Sequence, residues 1–558
     1  MSRTEERTPS AATMTARLAA LQAELLAERE KVAALEDTIT TLAHENTLLK
    51  RRLFGNKTER ARTTELQLAL GDLLKAEAAL QAELDAAVAK TEAEAAAKTE
   101  AGAVPPPANG PGKPRPHGRR NLLASDLPRT VVELKDEALE AQGCRRIGVE
   151  DATQLGFRPG GFYLVVKRTV RYEVRKRGEA TVVTAPQPRS VFPRALLHTS
   201  AVAHLVTSKF SLGVPHYRLE QALAAQGLPL DRGLMSRYVE HAGNTLGATV
   251  VAAMWRDAVA TGQVISTDAT GALIQPTGKV EARGSPACKR GHFFTAVVDA
   301  RAVLFAYTEA HTSDVVRELF GEFRGYLQAD ASAVYDVLGR GPPKDTDDGV
   351  TLVGCWAHAR RYFLEAALCR YPVGVEGLLR IRALYAAERA CKAVAPAERL
   401  ALRRAQLGPL MDAFFAWVRA ARETTPGRNL ATKALGYATN QEHELRRVLD
   451  RADVPLDNTR AERALRKIVV GRKNWLFYGS DTHAEAAAAL FSLIATCRLH
   501  HLDPFAYLDE VLRVLPFWPA DRYLELAPGT WPATRAQLRE AELERPVGIF
   551  TVPPPSQP

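Results

Sequence analysis

Apolar residues recur in alternating steps of three and four from Leu18 onward: Leu21, Leu25, Val32, Leu35, Ile39, Leu42, Leu49 and Leu53 follow, and Glu28 and Asn46 are the polar members of the seam. About five heptads of this kind predict a coiled coil over residues 14–62, after a disordered polar stretch at 1–13. Asn46 shares its seam position with Leu18, Leu25, Val32, Ile39 and Leu53. A lone buried amide there fixes register and strand number at some cost in stability. The same stripe would also suit a single helix lying on the protein's own body, but so regular a seam calls for a partner helix, and hence a homo-oligomer. Residues 63–100, rich in Ala, Glu and Leu, suit a helix with little to pack.

The Pro- and Gly-rich stretch 101–121 sustains neither helix nor sheet and predicts an extended linker. Its second half carries Lys113, Arg115, His117, Arg119 and Arg120, which fits either an arm tracking phosphates or a solvated linker. From 122 to 196 the pattern changes to short β runs. The alternation of Tyr163, Val165, Lys167 and Thr169 predicts a half-buried strand in a small β module with outward basic residues. Over 197–245, HYRLEQALAAQ and GLMSRYVEHAGNTL flank the short turn GLPLDR. That is a helix-turn-helix-like arrangement, with Asp231 able to cap the second helix. In a DNA reader this helix would offer Arg232, Ser236 and Arg237 to the major groove; an ordinary helical hairpin has the same pattern.

The next region, 246–364, is α/β. GQVISTDATGALI predicts a strand running into Asp268, HFFTAVVDA and AVLFAYTEA two more, and YLQAD a short strand reaching Asp330. Three antiparallel strands followed by alternating helix and strand give a mixed sheet with helices on its faces. Residues 365–454 predict an almost wholly helical stretch, Pro455 and Asp457 a new helix start, 481–520 C-terminal helices and 521–558 a tail.

Composition narrows the function classes. Lys and Arg total 74 against 64 Asp and Glu, a net charge of +10, and 46% of residues are hydrophobic. This is a multidomain globular composition, compatible with nucleic acid without being evidence for it. Six cysteines without a CxxC pair, no secretory leader and no long apolar window lead to the expectation of a reduced cytoplasmic protein with no membrane partner. The chain has no P-loop, dinucleotide-binding glycine fingerprint or GxSxG elbow, which counts against an NTPase, a dehydrogenase and a hydrolase. Asp268 and Asp330 end short apolar strands, where a charge beside a core invites explanation. Each could cap the following turn, or the two could aim at a hard divalent cation such as Mg²⁺, which takes oxygen ligands. Glu462 lies four residues after Asn458, on the same helical face, and four before Arg466, so a surface Glu–Arg pair competes with a ligand role. Cys355 and His358 lack two further soft ligands at zinc-finger spacing.

The segment DNTRAERALRKIVVGRKNWLFYGSD, followed by AAAALFSLIATCRLHHLDPFAYLDEVL, closely resembles the C-terminal signature of the insertion sequence sixty-six family of bacterial transposases. LLKRRLFGNKTER, SKFSLGVPHYRLEQALAAQGLPLDRGLMSRYV, YLQADASAVY and GCWAHARRYF are similar to further blocks of that family, so the resemblance spans about residues 14–515. It implies a ribonuclease-H-like core with a catalytic acidic triad falling on Asp268, Asp330 and Glu462. Asp330 follows Asp268 by 62 residues and precedes Glu462 by 132, which makes 365–454 an insertion within the catalytic domain and 455–480 a return to its α/β core. The implied cofactor is a pair of Mg²⁺ ions, with Mn²⁺ as a substitute. Asn458, Arg472 and Lys473 would contact phosphates. The implied partners are terminal inverted repeats, target DNA, other copies of the chain and small accessory proteins of the same element, in a nucleoid-associated protein.

The chain also departs from the family. Cys144 is the only cysteine between 101 and 287, so the family's small zinc module is expected to persist here as a β module without structural zinc. The aspartates sit in DATG and DASA rather than the usual flanks. These departures keep two alternatives open: a catalytically retired member that only binds DNA, and a structure-specific nuclease on the same fold.

Overall fold

Clusters of β-branched and aromatic residues form two mixed sheets, and Ala/Leu-rich stretches form the helices around them. A computed structural model of the chain describes residues 127–176, 179–275, 288–339 and 349–555. The expected coiled coil, Ala/Glu-rich helix and basic linker, with Lys113, Arg115, Arg119 and Arg120, lie outside the described residues. The chain divides into two compact units: among the described residues, one holds 356–442 and the other the remainder.

The larger unit begins with β1 (Arg129–Leu134), α1 (Glu137–Ala141), β2 (Arg145–Arg158), β3 (Gly161–Lys176) and β4 (Glu179–Thr184). The β2–β3 hairpin closes over Pro159 and Gly160, the glycine at φ 107°. β3 is the spine, with β2 antiparallel on one side and β1 and β4 end to end on the other. Four of the outward arginines are paired: Arg146 with Glu140 and Glu133, Arg168 with Asp151, Arg171 with Glu150, and Arg175 with Glu173. Leu155 and Leu164 join the main core, whereas Val170, Tyr172, Val174 and Ala185 form a small core of their own.

Next come α2 (Thr199–Val206), α3 (His216–Ala225), α4 (Arg232–Leu246) and α5 (Ala252–Thr261). Asp231 caps α4 through the amides of Gly233 and Leu234, at 2.8 and 3.1 Å. A π turn, Gly247–Val251, carries α4 into α5, so the second helix of the helix-turn-helix-like segment runs past the expected boundary at 245. The second sheet contains β5 (Val264–Ile274), β6 (Lys289–Val298), β7 (Ala302–Thr308), β8 (Tyr326–Gln328) and β9 (Thr351–Val353), with α6 (Ser313–Phe320) between β7 and β8. Its order is β7-β6-β5-β8-β9; β7, β6 and β5 pair antiparallel, and β5, β8 and β9 parallel.

The smaller unit consists of α7 (Trp356–Leu368), α8 (Pro372–Lys392), α9 (Pro396–Thr424) and α10 (Leu430–Asn440). Its helices therefore begin at 356 rather than at the expected 365. Trp356, Phe363, Phe414 and Phe415 pack edge to face in its core. Glu388 and Arg403 form a buried two-pronged ion pair, 2.6 and 2.9 Å.

The chain continues through α11 (Glu442–Arg446) and returns to the larger unit with α12 (Thr459–Trp475), α13 (Asp481–Leu499), α14 (Pro504–Val514), α15 (Trp531–Ala536) and α16 (Glu540–Glu544). The expected tail, 521–558, is corrected by burial: Leu526, Trp531, Leu538, Leu543 and Phe550 all lie in the main core. α13 seals the outer edge of β7. The hydroxyl of Ser492 accepts from Phe305 N at 2.8 Å, and that of Thr496 from Val303 N at 3.1 Å, giving partners to strand-edge groups that would otherwise be buried unpaired. No helix among the described residues is long and apolar enough to cross a membrane.

α4 crosses α13 at Gly243, where an added Cβ would stand 2.5 Å from the carbonyl oxygen of Ala486. Backbone on both sides leaves no flexible group to yield. Gly243→Ala is therefore expected to destabilise the protein by about 1–3 kcal/mol, read from the urea midpoint. An unchanged midpoint would show that the crossing is looser than this distance implies.

Candidate active site

β5 is buried from Val264 to Thr267 and half-buried from Asp268 to Gly271, so the sheet opens toward solvent at Asp268. Parallel pairing sets Ile265 beside Leu327 and Ser266 beside Gln328. Two residues beyond that last pair, on each strand, come Asp268 and Asp330. Asp268 is still within β5, Asp330 lies just past the end of β8, and the charges of both reach the hydroxyl of Tyr335. This is the carboxyl end of β8, and ligands of open α/β sheets characteristically gather beyond such ends.

Local bonds orient both groups. Asp268 Oδ1 accepts from Ala269 N at 2.8 Å, and Asp330 Oδ1 from Ser332 N at 3.2 Å. Asp330 thus does cap its own turn, and its second oxygen is not needed for that bond. Behind the pair stands Tyr335, 2% exposed. Burial pushes its hydroxyl pKa up, Thr267 beside it works the other way, and the charges of Asp330 and Asp268 add to the rise. Both carboxylates therefore act on one phenol.

Glu462 arrives on the first turn of α12. The return to the sheet is held by Gln328, whose Nε2 donates to Pro455 O at 2.8 Å and to Gly354 O at 3.2 Å. Asn458 anchors the start of the helix: its Nδ2 donates to Thr267 O at 2.6 Å and its backbone N–H to Cys355 Sγ at 3.2 Å. At the far end, Arg472 Nη1 donates to Thr270 Oγ1 at 3.1 Å and also to Gly271 O. Tyr478 then pairs with Leu273 and Gln275 of the same edge of β5. At about 100° per residue, Asn458, Glu462, Leu465, Val469 and Arg472 share one face. Two members of that face bond β5, so Glu462 is turned toward the strand that carries Asp268. Arg466 has no ion pair among the described residues, so the surface Glu462–Arg466 pair is not formed.

Other expected site residues have different surroundings. Asn458 is fully buried, and Arg472 is bound to β5; both anchor the helix, where phosphate contacts were expected, because the strand's carbonyls take their donors. Lys473 is exposed. On α4, Arg232 and Arg237 are exposed, whereas Ser236 Oγ lies 3.1 Å from His483 Nε2 and so faces the protein. Gln328 and Tyr335 escaped the sequence reading. The only signal for Gln328 was a polar residue inside the short apolar run YLQAD.

Asp268, Asp330 and Glu462 offer only oxygen, the donor set of a hard divalent cation. All three are half-buried, which reduces competition from water without removing access. Among the described residues, no three His, Cys, Asp or Glu side chains are gathered as a ready-made metal cage. Carboxylate oxygen is the donor type that Mg²⁺ takes, and the three side chains come from β5, the turn after β8 and the first turn of α12.

Beyond the far end of α12, Lys209 Nζ stands 5.5 Å from the ring centre of Trp475. Burial holds this ammonium down at about 8. Nearby, burial pushes His216 down to about 3, and the charges of Lys209 and His483 add to the effect. Between that value and the ordinary 6.5, the unfolded chain binds a proton at His216 that the folded chain refuses. Stability should therefore fall as pH drops from about 6.5 toward 3, by up to about 1.4 kcal/mol per unit from this residue. His216→Leu should flatten that part of the urea-stability profile, and an unchanged slope would remove His216 as its source.

Residues 194–486 match the family model described as Transposase IS66 family, and residues 492–528 match the IS66 C-terminal element. Residues 41–132 match a model described as Transposase C of IS166 homeodomain. The chain is similar to the uncharacterized protein y4qI of Sinorhizobium fredii (strain NBRC 101917 / NGR234), 25% identical over 521 residues, 92% of this chain and 93% of that one. The uncharacterized protein y4jD of the same organism is 28% identical over 446 residues, 75% of this chain and 84% of that one.

Proposed function

This chain belongs to the IS66 family of transposases, and from that premise we propose that it cleaves DNA at the terminal inverted repeats of an insertion sequence and joins the freed ends to target DNA, using Mg²⁺. The observation that carries this reading is that Asp268 and Asp330, each two residues past the last pair of adjacent parallel strands, both act on the Tyr335 hydroxyl, with Glu462 on the first turn of the helix that Asn458 ties to β5. The order of the sheet, three antiparallel strands followed by two parallel ones, supports a ribonuclease-H-like core.

In this proposal Asp268, Asp330 and Glu462 hold the metal, with Mn²⁺ as a substitute. When bound, the ions supply Lewis-acid chemistry, easing deprotonation of the attacking water or 3′-hydroxyl and neutralising the departing 3′-oxygen. The residues contribute position. Pairing of β5 with β8 brings the two aspartates to Tyr335, and the Asn458 and Arg472 anchors fix the helix that carries Glu462. No protein nucleophile is needed, because cleavage and joining are both in-line displacements at phosphorus. The helix-turn-helix-like segment reads the ends, and self-association of the chain holds two ends together.

The test is Mg²⁺-dependent nicking and strand transfer by the full chain on a labelled terminal-repeat duplex, with the element's accessory proteins present. Nicked and joined products are expected. Cleavage without joining would leave a nuclease, and bound but uncut ends with either Mg²⁺ or Mn²⁺ would leave a DNA-binding protein.

A further inference from the structure

α12 has a second face, away from β5, and its chemistry is one-sided. The helix carries Arg460, Arg463, Arg466, Lys467, Arg472 and Lys473 against the single acid Glu462. Arg472 is engaged with β5 and Glu462 is turned toward it. The other five cations are exposed. None of the five forms an ion pair among the described residues. The β module offers a contrast, since Arg146, Arg168, Arg171 and Arg175 there are each matched by a neighbouring carboxylate. Unpaired like charges on one helix repel one another and cost stability. A face that keeps five of them without a counter-charge is complementary to a polyanion. Partial burial holds Lys467 below its ordinary value, and the charge of Arg498, from the end of α13, adds to the effect.

We propose that this outer face is a rail for the phosphate backbone of duplex DNA, holding the strand that enters the site beside Glu462. The proposal rests on the transposase reading and deepens it by naming where the substrate lies. The rail runs from Arg460, two residues before Glu462, to Lys473. That span is about 20 Å, or the axial length of about six phosphates of one strand. Its near end is within a turn of a candidate metal ligand, so a backbone lying on it leads directly to the chemistry.

The experiment measures binding of the full chain to a fluorescein-labelled duplex of arbitrary sequence, by anisotropy, between about 50 and 200 mM salt. Arg460→Gln, Arg463→Gln, Arg466→Gln and Lys473→Gln are combined in one variant. A second variant carries Arg460→Lys, Arg463→Lys and Arg466→Lys. An unchanged urea midpoint establishes folding, since all four side chains are exposed. Removing four phosphate contacts should make the slope of log K against log salt shallower by about 3 to 4, and the lysine variant should keep the wild-type slope. A wild-type slope in the glutamine variant overturns the rail, as does a wild type that binds no duplex. Nicking on terminal-repeat DNA is scored separately. Loss of the rail with cleavage intact leaves the transposase reading standing, and a steep slope without cleavage does the reverse.

Discussion

Asp330→Asn is expected to lower Mg²⁺-dependent nicking by roughly 10³-fold or more, a loss of about 4 kcal/mol of transition-state stabilisation. The exchange is nearly isosteric, and an amide oxygen can still accept the Ser332 N–H that Asp330 accepts now. The turn after β8 should therefore survive, with an unfolding midpoint close to the wild type. What disappears is a negative charge at the carboxyl end of a parallel strand, beside Asp268 and in front of a buried phenol. Neutral oxygen is a much weaker ligand for a hard cation than carboxylate. Strand transfer should fall with nicking, because both displacements use the same groups. Duplex affinity and its salt dependence should remain, since neither depends on the metal ligands. Nicking that persists in Asp330→Asn would sink the triad assignment.

Asn458→Ala should act on the same reaction from a distance. It removes the bond to Thr267 O, one residue before Asp268, and leaves that carbonyl without the donor that now reaches it. The Oδ1 atom of Asn458 is buried without a partner, so its removal offsets part of the loss. A net cost of about 1–2 kcal/mol in unfolding free energy is expected. Nicking should drop further than that cost requires, by about 10²-fold, because a shift of about 1 Å in Glu462 misplaces a ligand of the reacting centre. Gly243→Ala is the control, being comparably destabilising but away from Glu462. If both variants, still folded, lose nicking to the same extent, Asn458 acts through stability alone and is no positioning residue.

Much of the local structure was legible. Val264–Ile274 announces itself as a strand through its apolar run, and the placement of Asp268 within it follows by counting. The helix at Glu462 could be anticipated from Pro455 and Asp457, and it begins at Thr459. The cap at Asp231 was equally plain. Residues 521–555 were misjudged because their apolar residues are sparse and irregularly spaced, and their burial depends on partners from α14 and earlier helices. That Asn458 and Arg472 bond β5 was invisible in the sequence for a related reason. A polar side chain near a candidate site looks alike in sequence whether it faces solvent or a strand's carbonyl.

By itself the sequence determined what near neighbours decide: the period of each element, its caps, the residue types offered to a metal and the family signature around Glu462. Tertiary structure alone decided which long-range groups meet. β5 and β8 pair so that Asp268 and Asp330 both act on Tyr335, and a helix that begins well over a hundred residues later is tied to β5 by Asn458. It also decided that four arginines of the β module meet carboxylates while, among the described residues, those on the outer face of α12 do not. Caps and periodicity arise from contacts within a turn or two of chain, whereas register, ion pairing and burial depend on groups that only folding brings within a few ångströms.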